Sequence, residues 1–218
     1  MIQHVYERAQ RFFGEDLIVA TDDMRVVETV ERFGGKAIMT RSTHASGTER
    51  VSEVAEKLIY DAYINIQADE PFLDTSHLTL LHSLLEKHDI VSLATRIYTL
   101  EELLSPSVVK VVLDVKGRAL YFSRSLVPHV RDMPMTNPDV LRRYPFYRHI
   151  GLYGYRREAL MAIVSLSAAP IEEAEQLEQL RWIYHGYPIY LTEAAQPSFS
   201  IDTEEEYAQA QKLAERLL

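Results

Sequence analysis

The chain reads as an α/β fold, a mostly parallel sheet with helices on both faces, and three observations predict it. Apolar runs of strand length alternate with helix-length amphipathic stretches along most of the 218 residues, the pattern of crossover units. Several strand-like runs end in short polar turns, as at Thr21-Asp22-Asp23, where an open sheet delivers its functional loops. In the second half Asp114-Val115-Lys116-Gly117 is a tight turn between two strand-like runs, so antiparallel strands are mixed in there.

The elements follow in order. Residues 2–13 place Ile2, Val5, Tyr6, Ala9, Phe12 and Phe13 on one helical face. Leu17 to Ala20 is a short buried strand, and 24–33 a helix stopped by Gly34-Gly35. Ala37 to Thr40 is the next strand, 48–60 a helix, and Tyr63 to Gln67 the strand that delivers Asp69. A helix near 75–87 and a strand near 90–95 come next. Strands at 108–113 and 119–123 form the hairpin, and Ile150 to Tyr155 is another strand. Residues 127–147 hold Pro128, Pro134, Pro138 and Pro145 with little periodicity, which predicts a long excursion serving as a lid or a partner contact. Helices near 157–164 and 172–184, a strand at 188–192 and a helix at 203–217 complete the chain. The expected organisation is one domain over 1–218, with 105–148 as a partly antiparallel insertion or lid.

Composition narrows the function. With 47% hydrophobic and 25% charged residues the chain supports a globular core. Lys+Arg 23 against Asp+Glu 32 gives a net charge of -9, which offers no long-range attraction to nucleic acid or an anionic membrane. Cysteine is absent, which excludes disulfides, thiolate zinc sites and thiol catalysis. No segment approaches membrane-spanning length, and the expected location is the cytoplasm.

Two carboxylates carry the chemistry. Asp69 in Gln67-Ala68-Asp69-Glu70-Pro71 and Asp202 in Ile201-Asp202-Thr203 each follow an apolar run. Hard divalent cations such as Mg²⁺ take oxygen ligands and screen phosphate charge, so the pair points to a nucleotide-dependent enzyme. Asp202 could instead cap the last helix with Glu205. The segment from Thr40 to Arg50 is rich in hydrogen-bonding groups and could present donors to a base or ribose, although Ser46 and Glu49 have the spacing of a capping box. Alternation puts His149, Gly151, Tyr153 and Tyr155 on one strand face, able to grip a polyhydroxylated substrate or simply to sit in the core. Helical spacing sets Glu175, Glu178, Gln179 and Trp182 opposite an apolar side of Leu177, Leu180 and Tyr184. That polar side is either solvated or a set of acceptors for sugar hydroxyls.

In order and wording these segments resemble the 3-deoxy-manno-octulosonate cytidylyltransferases, or CMP-Kdo synthetases. The matching stretches are Ala20-Thr21-Asp22, His44 to Arg50, Gln67 to Pro71, Val109 to Val112, Tyr121 to Arg124, His149 to Tyr155, Leu177 to Arg181 and Ile201 to Thr203, and they span the chain. The resemblance implies a Rossmann-like nucleotidyltransferase fold that moves CMP from CTP to the anomeric hydroxyl of Kdo, releases pyrophosphate and supplies lipopolysaccharide assembly. By matching position, Asp69 and Asp202 would hold Mg²⁺, Ser46, Arg50 and Gln67 would lie at the cytidine, and His149, Tyr153, Glu178 and Gln179 would orient Kdo. The family implies a homodimer, with the antiparallel excursion in the second half taking part in it. Alternatives are a cytidylyltransferase for another acidic sugar such as a sialic acid, a nucleotidyltransferase for a neutral sugar phosphate, and an inactive truncated binding or dimerisation homologue.

The chain departs from the family pattern in two places. Members carry Gly between the Gln and Asp of the metal motif, where Ala68 stands here, which narrows the backbone conformations open to that turn. The family also begins with a strand and a loop of the type P-A-R-x-x-S-x-R-x-P-G-K, whose cations grip the triphosphate; the chain as written opens in its first helix. The expectation is little turnover from the chain as written, restored by adding such a strand and basic loop.

Overall fold

A computed structural model describes residues 1–217 apart from Met135 and Asp202. The chain divides into two compact units, the first made of Met1–Leu58, Ile66–Leu78 and Ser198–Leu218, the second of Ile59–Asn65 and Thr79–Pro197.

The first unit opens with α1 (Ile2–Phe13), whose Val5, Tyr6 and Ala9 are buried, as its 3.6-residue periodicity predicts. Strand β1 (Val19–Thr21) pairs in parallel with β2 (Ala37–Met39) through the crossover helix α2 (Met24–Arg32). Helix α2 starts at Asp23, whose side chain accepts the Arg25 N–H. After β2 come α3 (Gly47–Lys57), the 66–74 turn and, at the far end of the chain, α10 (Glu204–Leu217).

The second unit is a six-stranded sheet made of β3 (Ala62–Asn65), β4 (Ile90–Arg96), β5 (Lys110–Leu113), β6 (Ala119–Ser123), β7 (Tyr147–Arg156) and β8 (Tyr190–Glu193). Its order is β6-β5-β7-β4-β8, with β3 also paired to β7. Strand β4 is buried along nearly its whole length, the pattern of a strand covered on both faces. The remaining helices are α4 (Thr75–Leu85), α5 (Leu100–Leu104), α6 (Asp139–Arg143), α7 (Arg157–Ile163), α8 (Pro170–Glu175) and α9 (Gln179–Tyr184). Among the described residues no helix is long and apolar enough to cross a membrane.

The α/β class and the β5–β6 hairpin are as expected, and Gly117 makes that hairpin's turn at φ 79°. The sheet is more antiparallel than the chain pattern predicts. Among the described residues only β1–β2 and β4–β8 are parallel, because the long β7 runs antiparallel to β3, β4 and β5 together. Gly154 permits that strand to sit tightly: a Cβ there would fall 2.8 Å from Val91 Cγ2 and 2.9 Å from Leu85 Cδ1.

One local expectation is corrected. The helix expected over 172–184 is two helices, α8 and α9, separated where Gln176 takes the left-handed conformation at φ 53°. The 127–147 excursion has structure of its own. It carries α6 and joins a small core of Ile97, Leu103, Val140 and Phe146, lined by Leu126, Val130 and Met133, so its spaced apolar residues are absorbed by packing rather than by periodicity.

Candidate active site

The nucleotide-side candidates lie in the first unit. Ser46 Oγ accepts the Glu49 N–H at 3.2 Å while Glu49 Oε2 accepts the Ala45 N–H at 2.8 Å. This is a capping box with its return bond shifted back one residue, so Ser46 does start α3. Arg50 Nη1 donates to Thr40 Oγ1 at 2.6 Å, and Nη2 lies 3.4 Å from Asp22 Oδ2. The guanidinium, carried on α3, thus ties the segment after β1 to the segment after β2.

Behind this loop sits Glu53, which sequence reasoning did not single out. Its buried carboxylate accepts the Arg41 N–H at 2.9 Å, Lys57 Nζ at 2.7 Å and His44 Nε2 at 2.6 Å. The Arg41 backbone N–H, Lys57 and His44 hold its carboxyl well below the usual carboxylate range. One acidic side chain on α3 therefore organises the start of the 41–46 loop. Its only signal in the sequence is four-residue spacing to Lys57, which reads as an ordinary surface pair.

The metal-side candidates occupy the turn after β3. Gln67 and Asp69 are half-buried, Ala68 is exposed and Glu70 is buried. Ile201 N–H donates to the Asp69 backbone oxygen at 3.0 Å, and Phe72 packs edge-on to Phe199 with ring centroids 5.8 Å apart. Two segments remote in sequence thus run side by side. Asp202 itself lies outside the described residues. The cap of α10 is made by Thr203, whose Oγ1 accepts the Glu206 N–H at 3.2 Å, and by Glu206, whose Oε2 accepts the Thr203 N–H at 2.9 Å. Among the described residues no three His, Asp or Glu side chains converge as a metal cage; Mg²⁺ in nucleotide sites needs one or two carboxylates and completes its shell with phosphates and water.

The sugar-side candidates gather in the second unit. His149 and Tyr153 share a face of β7, their rings 5.2 Å apart, as alternation predicts. Trp182 of α9 stands edge-on to Tyr153 at 5.1 Å, and Phe122 edge-on to His149 at 5.0 Å. Burial, with neighbouring Arg148, pushes the His149 imidazole down to about 3, so it is neutral at physiological pH. Burial also raises the Tyr153 phenol well above its ordinary value, helped by Tyr155 and the Glu178 carboxylate. Tyr153 is 8% exposed, and its hydroxyl has no hydrogen-bond partner among the described residues. Most buried polar atoms are satisfied, so this hydroxyl stands out among the groups around His149.

Glu178 is the N-cap residue of α9, and Gln179 is buried at its first turn. The face expected to be solvated or polar is in part core: Trp182 is 1% exposed, while Tyr184, placed on the apolar side by spacing, is 57% exposed. The break at Gln176 resets the helical phase, which a continuous helical wheel cannot register. Glu175 secures that break from before it: Oε1 accepts Ser123 Oγ–H at 2.6 Å, Oε2 accepts the Arg124 N–H at 2.9 Å, and its backbone oxygen accepts Arg124 Nε–H at 2.8 Å. Nearby, fully buried Lys110 donates to the carbonyls of Ser105 at 2.8 Å, Val108 at 2.7 Å and Arg124 at 2.5 Å. Three carbonyl acceptors match the three donors of an ammonium.

The fold therefore collects Ser46, Arg50, Gln67 and Asp69 in the first unit, and His149, Tyr153, Glu178 and Gln179 in the second. A family model described as Cytidylyltransferase matches residues 1–195. The chain is 41% identical to the 3-deoxy-manno-octulosonate cytidylyltransferase of Idiomarina loihiensis, covering 98% of this chain and 88% of that protein. It is 47% identical to the enzyme of the same name from Myxococcus xanthus, covering 93% and 80%. The solved structure of a CMP:2-keto-3-deoxy-manno-octonic acid synthetase complexed with CTP superposes with a TM-score of 0.89 at 39% identity, over 100% of this chain and 88% of that one. With these matches along nearly its whole length, the chain belongs to the 3-deoxy-manno-octulosonate cytidylyltransferase family of nucleotidyltransferases.

Proposed function

We propose that this protein transfers CMP from CTP to Kdo, releasing pyrophosphate. The observation that carries the sugar half of this reading is the buried Tyr153 hydroxyl, without a partner among the described residues and set beside His149 and Glu178. A neutral imidazole, a neutral phenol and a carboxylate recognise hydroxyl groups, which both donate and accept. His149, being uncharged, addresses a sugar hydroxyl rather than the sugar's carboxylate. Gln179, at the same end of α9, adds an amide to this set.

On the nucleotide side, Ser46, Arg50 and Gln67 all belong to the first unit, and with the Glu53-organised loop they are the groups assigned to the cytidine. The proposal carries a preference for CTP over the purine triphosphates ATP and GTP. Asp69 and Asp202 supply two hard oxygen donors, and the Ile201-to-Asp69 backbone bond supports reading them as one site. Mg²⁺ held there would screen the α-phosphate charge and align it with the sugar. The reaction then needs positioning more than a protein nucleophile: the anomeric hydroxyl attacks the α-phosphorus and pyrophosphate leaves. Supply of activated sugar for lipopolysaccharide, a homodimeric state and a cytoplasmic location complete the proposal.

The test is pyrophosphate release with CTP, ATP and GTP, each paired with Kdo, a sialic acid and a neutral sugar phosphate. It is run on the chain and on the chain carrying a family-type strand and basic loop at its start. Turnover confined to CTP with Kdo supports the proposal. Comparable turnover with ATP, or preference for either other sugar, rejects it.

A further inference from the structure

We infer that Ser92 is a positioning residue that fixes the tautomer of His149, keeping Nε2 protonated and leaving Nδ1 as a bare acceptor. The role given to Nδ1 rests on the sugar-side reading above. Ser92 is fully buried in β4 opposite an irregularity in β7. Register runs from Ser92 facing Tyr153 to Leu93 facing Ile150, so Gly151 and Leu152 have no ladder partner on β4, a bulge that leaves backbone carbonyls to be satisfied from elsewhere. Ser92 Oγ lies 2.8 Å from the Leu152 oxygen, 3.1 Å from the Ile150 oxygen and 2.9 Å from His149 Nε2.

Proton accounting then decides the tautomer. A hydroxyl has one proton to donate, and two of its three neighbours are carbonyls that can only accept. If Ser92 gave its proton to Nε2, both carbonyl oxygens would face hydroxyl lone pairs at hydrogen-bond distance in a buried site, a costly arrangement. If it donates to a carbonyl, its lone pair receives Nε2–H and the imidazole is satisfied. The neutral ring carries one proton, so Nδ1 has none. Nδ1 has no hydrogen-bond partner among the described residues. It therefore accepts a hydrogen bond from a sugar hydroxyl, and a serine that never touches the substrate sets that polarity.

The test is imidazole ¹⁵N NMR of the protein, with His149 assigned by comparison with His149→Gln. The expected spectrum shows Nδ1 pyridine-like and Nε2 pyrrole-like at neutral pH, mixed character in Ser92→Ala, and recovery in Ser92→Thr, which keeps the hydroxyl. A protonated Nδ1 in the unaltered protein overturns the inference without depending on any variant folding. So does an unchanged tautomer in folded Ser92→Ala. Adding Kdo and CTP should move the Nδ1 resonance toward the hydrogen-bonded range. A bare Nδ1 that Kdo does not move would uphold the tautomer assignment and overturn the sugar-side reading of His149, so the two failures are distinguishable.

Discussion

Tyr153→Phe separates a substrate-facing tyrosine from a core one by moving stability and substrate binding in opposite senses. The substitution removes one oxygen and leaves the ring contacts with His149 at 5.2 Å, Tyr155 at 5.9 Å and Trp182 at 5.1 Å in place. A buried polar group without a partner costs ~1–3 kcal/mol, so deleting this hydroxyl returns about 1 kcal/mol to the ligand-free protein. For a chain of this size that raises the melting temperature by roughly 2–4 °C. Kdo, in contrast, loses a neutral hydrogen bond of about 0.5–1.5 kcal/mol, a rise in its KM of roughly 2- to 10-fold, with the KM for CTP unchanged. Thermal unfolding by circular dichroism without ligands, and initial rates with Kdo varied at saturating CTP, read the two halves. A lower melting temperature with an unchanged Kdo KM would refute the reasoning, because it is the signature of a tyrosine satisfied within the core.

In the chain carrying a family-type strand and basic loop at its start, Asp69→Asn should abolish Mg²⁺-dependent turnover while leaving the circular dichroism spectrum intact, since the amide keeps the shape but not the anionic oxygen; activity near the parent rate would reject the metal assignment. Glu53 has a folded pKa depressed below its ordinary 4.5, so its stabilising contribution is present above that value and is lost as pH falls through the depressed one. The difference in melting temperature between the parent and Glu53→Gln should therefore be largest above pH 4.5 and shrink on acidification, with the KM for CTP raised at neutral pH as the 41–46 loop loosens. Gly154→Ala forces a methyl against Val91 and Leu85, and overpacking of about 1–3 kcal/mol should appear as a lower denaturation midpoint in urea; an unchanged midpoint would reject the tight packing of β7 there.

Much of the chain could be read without coordinates wherever one periodicity had one meaning. The apolar stripe of α1, the Asp114–Gly117 turn and the alternation of His149 with Tyr153 each describe a local face or a local bend, and each is where it was expected. The wording of the segments around Arg50, Asp69, His149 and Glu178 was enough to point to the family before any contact was known. The sequence by itself thus determined most of the elements, the chemistry on offer and the family.

The tertiary structure decided the partners. A strand's pattern records that a face is buried but not against what, so the placing of β7 antiparallel to β3, β4 and β5, and the resulting mixed sheet, were not in it. Gln176 looks like any polar helical residue, yet its left-handed turn splits α8 from α9 and sends Trp182 inward and Tyr184 outward. Glu53 and Ser92 carry no motif at all. They matter because one carboxylate is met by donors from Arg41, His44 and Lys57, and one hydroxyl by His149 and two bulge carbonyls. Ser92 meets those groups 57 to 60 residues away, and hydrogen-bond satisfaction over such separations depends on which groups folding brings together.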